Sequence, residues 1–283
     1  MANRRSFLKR AALGATAAGI SPIIAGAHKA GVFEAAATSE LKLGIAGYTF
    51  SQSTIPQAIA MMERVNIKAF SLKDIQLPQN SSKEKIDEVV NTFKQAGMTI
   101  YGVGVIYMKT QEDADVAFEY AKNVGVDMII GSPVYELLPY VESKVKQYNI
   151  KLAIHNHGPE DKVYPTPGDV YNHIKNLDSR MGLCLDIGHT QRDNIDPGEA
   201  YLQYHDRIMD MHIKDVTEAT KDGKNLELGR GVINIPGLVK AMYKKPYTGY
   251  ASFEHEKDPK DPLPGLAESV GYFKGVCKVI NNK

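Results

Sequence analysis

Cysteine is scarce in this chain. Its two residues, Cys184 and Cys277, belong to no C-x-x-C pair or cysteine cluster, which excludes a cysteine-built metal site; both read as buried free thiols. A surplus of either charge is also missing. Lys and Arg number 34 against 33 Asp and Glu, a formal net charge of +1, so no global field draws the chain to nucleic acid or to an anionic membrane. A small or neutral partner is the default. An uncharged run near the N-terminus, Ala11 to Ala27, is roughly 17 residues of mostly Gly, Ala and Ile, marginal for a permanent membrane span. G-x-G-x-x-G is absent after the first apolar run, where "GIAGYTFS" stands instead, which argues against an open doubly wound fold holding a nucleotide cofactor.

Ahead of the uncharged run lies "NRRSFLKR", residues 3–10. Paired arginines, then Phe-Leu-Lys, then a moderately apolar stretch resemble a twin-arginine export signal. "AGA" at 25–27 and "AAA" at 35–37 both suit a small-residue cleavage site. The expected organisation is therefore an export signal and linker over 1–37 and a single domain over 38–283, periplasmic or otherwise exported, with no stable membrane span once the signal is removed.

From Leu41 onward, short apolar runs alternate with amphipathic ones. Eight candidate strands lie at 41–50, 67–74, 98–107, 127–134, 151–158, 181–189, 208–216 and 250–258. Between them, segments such as 55–65, 82–97 and 112–125 repeat apolar residues at i, i+3 and i+4, as helices do. Alternating β and α units with continuous apolar strands imply a parallel sheet covered by helices. Eight such units in one domain predict an α/β fold of the (β/α)8 TIM barrel type.

In such a barrel the C-terminal strand ends converge on one face. His155 and His157 in "KLAIHNHG" are two apart, so both aim at that mouth, while Asn156 faces the outer layer or the turn. By the same alternation Asp186 shares a face with Gly182 and Cys184, His212 with Asp210 and Lys214, and Glu254 with Ser252 and Glu256. Four consecutive strands thus bring His155, Asp186, His212 and Glu254 to one opening. Two imidazoles and two carboxylates suit one divalent metal ion, Mn, Zn, Co or Fe. A lone His or Asp at a strand end is commonly structural, but four in register would be costly to bury without a cation.

"LCLDIGH" (183–189), "MHIKD" (211–215), "LGRGVINIPGL" (228–238) and "SFEHE" (252–256), in this order, resemble the last four motifs of the xylose-isomerase-like barrels. That superfamily contains sugar isomerases, sugar epimerases, inosose dehydratases and a group of DNA-repair endonucleases. The resemblance implies that Asp186, His212 and Glu254 are metal ligands and that His189 and Arg230 contact sugar hydroxyls. His155 departs from it, since many sugar epimerases carry a glutamate at this strand end.

The expected activity is a metal-dependent sugar isomerase or epimerase that abstracts a proton beside a carbonyl, with Glu254, His155, His157 and Lys214 as catalytic groups. Lys73, Lys214 and Lys109 follow strands and can bind a carbonyl or an oxyanion, or simply be solvated. An alternative is a lyase or hydratase cleaving 3-keto-glycosides by β-elimination, because an imidazole and a carboxylate are unlike groups. A third is a carbohydrate-binding barrel without turnover. The balanced charge argues against DNA repair. The expected partner is thus a small-molecule carbohydrate and not nucleic acid; the sugar, the metal and the oligomeric state stay open.

Overall fold

Each of the eight apolar runs becomes one strand of a closed, parallel barrel, in the computed structural model that describes residues 40–281. The strands are β1 (Lys42–Ala46), β2 (Ala69–Leu72), β3 (Thr99–Met108), β4 (Met128–Pro133), β5 (Lys151–His155), β6 (Met181–Asp186), β7 (Ile208–Ile213) and, after a two-stranded hairpin of β8 (Asp215–Val216) and β9 (Asn225–Leu226), β10 (Tyr250–Phe253). β10 pairs with both β7 and β1, which closes the cylinder. The export signal, the linker and both candidate cleavage sites lie outside the described residues.

The helices form where the apolar spacing places them: α1 (Ile55–Val65), α2 (Lys83–Gln95), α3 (Gln111–Val124), α4 (Leu138–Tyr148), α5 (Pro167–Ile174), α6 (Ile187–Arg192), α7 (Pro197–Tyr204), α8 (Ile235–Lys244) and α9 (Leu263–Asn281). Their ends are set by local chemistry. Thr54, Thr110 and Thr166 each cap a helix start reciprocally with the residue three on, satisfying backbone donors that the first turn leaves open. Ser82 caps α2 and Gly97 follows its end at φ +71°. None of the described helices is long and apolar enough to cross a membrane.

Strand alternation divides the buried residues into two cores. Phe70, Ile129, Leu152, Leu183 and Phe253 point outward under the helices. Their neighbours Ala69, Met128, Ile130, Ala153 and Cys184 fill the lumen together with Tyr101. One expectation needs correction: Cys184 is a buried free thiol, but Cys277, on α9, is only half-buried, because that helix turns its last turns partly to solvent.

The strands stop earlier than the apolar runs do. β5 ends at His155, β7 at Ile213 and β10 at Phe253, so His157, Lys214 and Glu254 stand just past strand ends, where the backbone is free to turn them over the mouth. Side chains hold these ends level. Asn156 Oδ1 accepts from the Asp186 amide at 3.0 Å and its Nδ2 donates to Thr190 Oγ1 at 3.2 Å. Thr49 Oγ1 donates to the Phe253 carbonyl and accepts from the His255 amide.

Candidate active site

The register of the last strands sets the site. His155 pairs with Cys184, Asp186 with His212, and His212 with Ser252, the residue two before Glu254. Four ligand atoms therefore meet: one each from His155, Asp186, His212 and Glu254, all within 4.8 Å of one another and all from buried residues. His155 Nε2 lies 3.0 Å from His212 Nδ1 and 3.2 Å from Asp186 Oδ2. His212 Nδ1 lies 3.0 Å from Glu254 Oε2.

Asp186 divides its two oxygens between two tasks. Oδ1 caps α6, accepting from the His189 amide at 2.8 Å. Oδ2 is buried without a hydrogen bond and faces the cluster. Burial pushes this carboxyl up, but Lys214 and the nearby histidines His189 and His155 outweigh it and hold it well below the usual range. Glu254 behaves likewise, with His212 and Lys214 overcoming the effect of burial. Desolvation keeps His155 neutral, well below the ordinary histidine value. In His212 the carboxylates of Glu254, Asp210 and Asp186 overcome desolvation and raise it.

Lys214 completes the charge pattern. Expected to be either a carbonyl-binding or a solvated side chain, it is only 4% exposed. Its ammonium lies 2.6 Å from Glu254 Oε2, 3.0 Å from Asp186 Oδ2 and 2.5 Å from Glu256 Oε1. The stem crosses Gly188, where a Cβ would meet Lys214 Cγ at 2.5 Å, so glycine is what admits it. Two buried carboxylates, Asp186 and Glu254, and the part-exposed Glu256 face one ammonium, a surplus of negative charge that a divalent cation neutralises.

The donor set fits such an ion. Ligand oxygens and nitrogens on opposite sides of one are about 4–5 Å apart, comparable to the observed span, and the mixed N/O set suits Mn, Zn, Co or Fe more than Mg. A second grouping, His155, Cys184 and His212, lies close enough as well. Cys184 is the weaker ligand, because burial pushes its thiol well up and its Sγ donates to Asp210 Oδ2 at 3.7 Å.

Around this core the histidines form a continuous face. The His157 ring lies 4.3 Å from His155, and His189 lies 5.9 Å from both. His157 Nε2 is hydrogen-bonded to Tyr107 Oη at 2.9 Å. One layer below, Tyr101 Oη donates to Asp210 and is paired with Ser252 at 2.6 Å. Burial pushes Asp210 up to about 6.

Three expected substrate contacts make no hydrogen bond or ion pair with this cluster. Lys73 Nζ donates to the Val105 carbonyl at 2.8 Å. Lys109 is exposed. Arg230 forks onto Glu268 of α9 at 2.6 and 2.7 Å. Arg192 was not among the expected residues, yet its Nη1 lies 3.1 Å from His189 Nδ1; its position three residues on along α6 was the available signal. Nor was Glu256 expected as the third partner of Lys214.

Comparison with known proteins gives a consistent picture. The sequence model of a family described as "Xylose isomerase-like TIM barrel" matches residues 59–276. A curated relative, the rhizopine catabolism protein MocC of Rhizobium meliloti, is 24% identical over 144 residues, which are 46% of this chain and 44% of that protein. The match thus spans less than half the length of the curated relative. Among solved structures, a D-tagatose 3-epimerase-like protein superposes with a TM-score of 0.70 at 16% identity, covering 86% of this chain and 99% of that one. The IOLI protein, solved with a bound zinc atom, superposes with a TM-score of 0.69 at 15% identity, covering 86% and 99%.

Proposed function

The chain belongs to the xylose isomerase-like TIM barrel family, and from the geometry of its mouth we propose that it is a divalent-metal-dependent enzyme that removes a proton beside a sugar carbonyl, in an isomerase or epimerase reaction. The observation that carries this reading is the meeting of His155, Asp186, His212 and Glu254 within 4.8 Å. The zinc atom in one structural relative supports the kind of ion, and the epimerase-like name of another supports the kind of substrate. An ion held by these four residues would polarise a bound carbonyl and make the adjacent C–H acidic.

The chain's own groups then have distinct tasks. Glu254 Oε2 is taken up by His212 and Lys214, while Oε1 makes no hydrogen bond to a described residue. Held ionised by its neighbours, Glu254 is the base, with Oε1 as the accepting atom. Lys214 places a permanent positive charge beside the oxygen on which negative charge grows. His157, joined to the half-exposed Tyr107 phenol, is placed to return a proton from the other side. His189 is assigned to a substrate oxygen; Lys73, Lys109 and Arg230 are left as outer contacts.

A second reading, elimination from a 3-keto-glycoside, is favoured by the Tyr107–His157 pair. An imidazole and phenol opposite a carboxylate suit proton removal at one atom and protonation of a leaving oxygen at another. The paired arginines Arg4 and Arg5 support export, and with it an unphosphorylated sugar. NMR in D2O with candidate ketoses and 3-keto-glycosides tests all of this. Deuterium entering an intact sugar supports isomerisation or epimerisation, release of an aglycone supports the lyase, and sugar binding without either leaves a binding barrel.

A further inference from the structure

We infer that Arg192 is a positioning residue that fixes His189 as its Nε2–H tautomer, so that this imidazole offers the substrate a hydrogen-bond donor and not a base. The inference deepens the sugar-enzyme reading and rests on it for the word substrate; the tautomer itself does not.

The geometry leaves one assignment. A guanidinium has five N–H donors and no acceptor, and Arg192 Nη1 lies 3.1 Å from His189 Nδ1. Nδ1 must therefore accept, and the proton of the neutral ring belongs to Nε2. Nε2 makes no hydrogen bond to a described residue and is left for a ligand. The ring stands 5.9 Å from the rings of His155 and His157, beside the proposed metal ligands.

Arg192 is itself held by two loops. Nη2 donates to the carboxylate of Glu160, in the loop after β5, and to the carbonyl of Lys221, in the loop between β8 and β9. Residues three apart on a helix are neighbours, so α6 brings its own Arg192 to His189. Gly158, at φ +84°, leaves open a place where a Cβ would lie 3.1 Å from His189 Nδ1. The ring's backbone is pinned as well, by Asp186 Oδ1. Such a donor recognises a carbonyl, hydroxyl or alkoxide oxygen and leaves proton abstraction to another group.

Two-bond 1H–15N correlation spectra of the histidine-labelled full chain, with and without diamagnetic zinc, read the tautomer directly, with His189 assigned from its loss in H189Q. The wild type should show Nε2–H with an unprotonated Nδ1. R192M should lose that single pattern to a mixture, while E160A, which removes a loop anchor but leaves the Nη1 contact, should keep it. In turnover assays R192M should raise KM about tenfold, the scale of one lost hydrogen bond, with unchanged metal content. A protonated Nδ1 in the wild type, or an unaltered pattern in R192M, overturns the inference. If R192M does not fold, R192Q, whose amide can donate or accept, takes its place: a mixed pattern supports the inference and an unaltered one overturns it. Should no sugar be turned over, the spectra stand and the sugar-enzyme reading is what fails.

Discussion

Lys214 Nζ lies 2.6 Å from Glu254 Oε2, the same oxygen that faces His212 Nδ1 at 3.0 Å. The ammonium therefore shares with the proposed ion the oxygens of both Glu254 and Asp186. Removing one partner of a buried charge cluster costs about 3–5 kcal/mol. K214M should lose stability on that scale in chelator and should gain more from added Mn or Zn than the wild type does. Thermal unfolding with EDTA and with metal measures both; equal metal-induced shifts in the two proteins would remove Lys214 from the cluster's charge balance.

Glu254 supplies the base in the proposed reaction. E254Q preserves its size, and loss of a general base lowers rates by about 10²–10⁴-fold. Solvent-deuterium incorporation should fall by that factor. Metal content, measured on the same samples, separates loss of the base from loss of a ligand. Undiminished exchange would assign proton removal to another residue.

Tyr107 is 54% exposed and can lose its hydroxyl without disturbing the core. Y107F removes one hydrogen bond to His157, worth about 0.5–1.5 kcal/mol. The expected result is a several-fold fall in kcat with a drop of only a few degrees in unfolding temperature. Wild-type kinetics in Y107F would make the phenol a bystander.

Asp193 tests the electrostatics away from the cluster. Burial pushes its carboxyl up to about 6, and Oδ2 has no hydrogen-bond partner. An acid whose folded value is raised binds more protons folded than unfolded, so stability falls as pH climbs from about 4 to about 6. D193N should therefore stabilise the protein at pH 7, by no more than about 1 kcal/mol once solvent screening is allowed for. At pH 4, near the unfolded value, the gain should largely vanish. A benefit independent of pH would mean that the asparagine acts by packing.

Much of this architecture is legible in the sequence because strand alternation has a period of two. That period alone aims His155 and His157 at one mouth and stacks Asp210 beneath His212. Asp186 was legible as either a cap or a ligand, and its two oxygens allow the cap while leaving the other free. Lys214 was legible as a mouth-facing group, but its carboxylate partners were not, since a long stem reaches water or a buried carboxylate equally well and only the bare Gly188 admits it here. The pairing of Arg230 with Glu268 was not legible, because its loop sets it. Asp215 accepts from the amides of Gly229, Gly231 and Ile233, and this wrapping turns Arg230 outward to Glu268. No periodic pattern encodes such a loop.

Anomalous X-ray diffraction from crystals of the full chain grown with manganese tests the central claim most directly. One strong peak per chain is expected, bounded by the imidazoles of His155 and His212 and the carboxylates of Asp186 and Glu254. The peak should disappear in a D186N, H212Q double variant. An ordered site with no peak between those four side chains, at a manganese concentration that other proteins of this fold class bind, would contradict that claim.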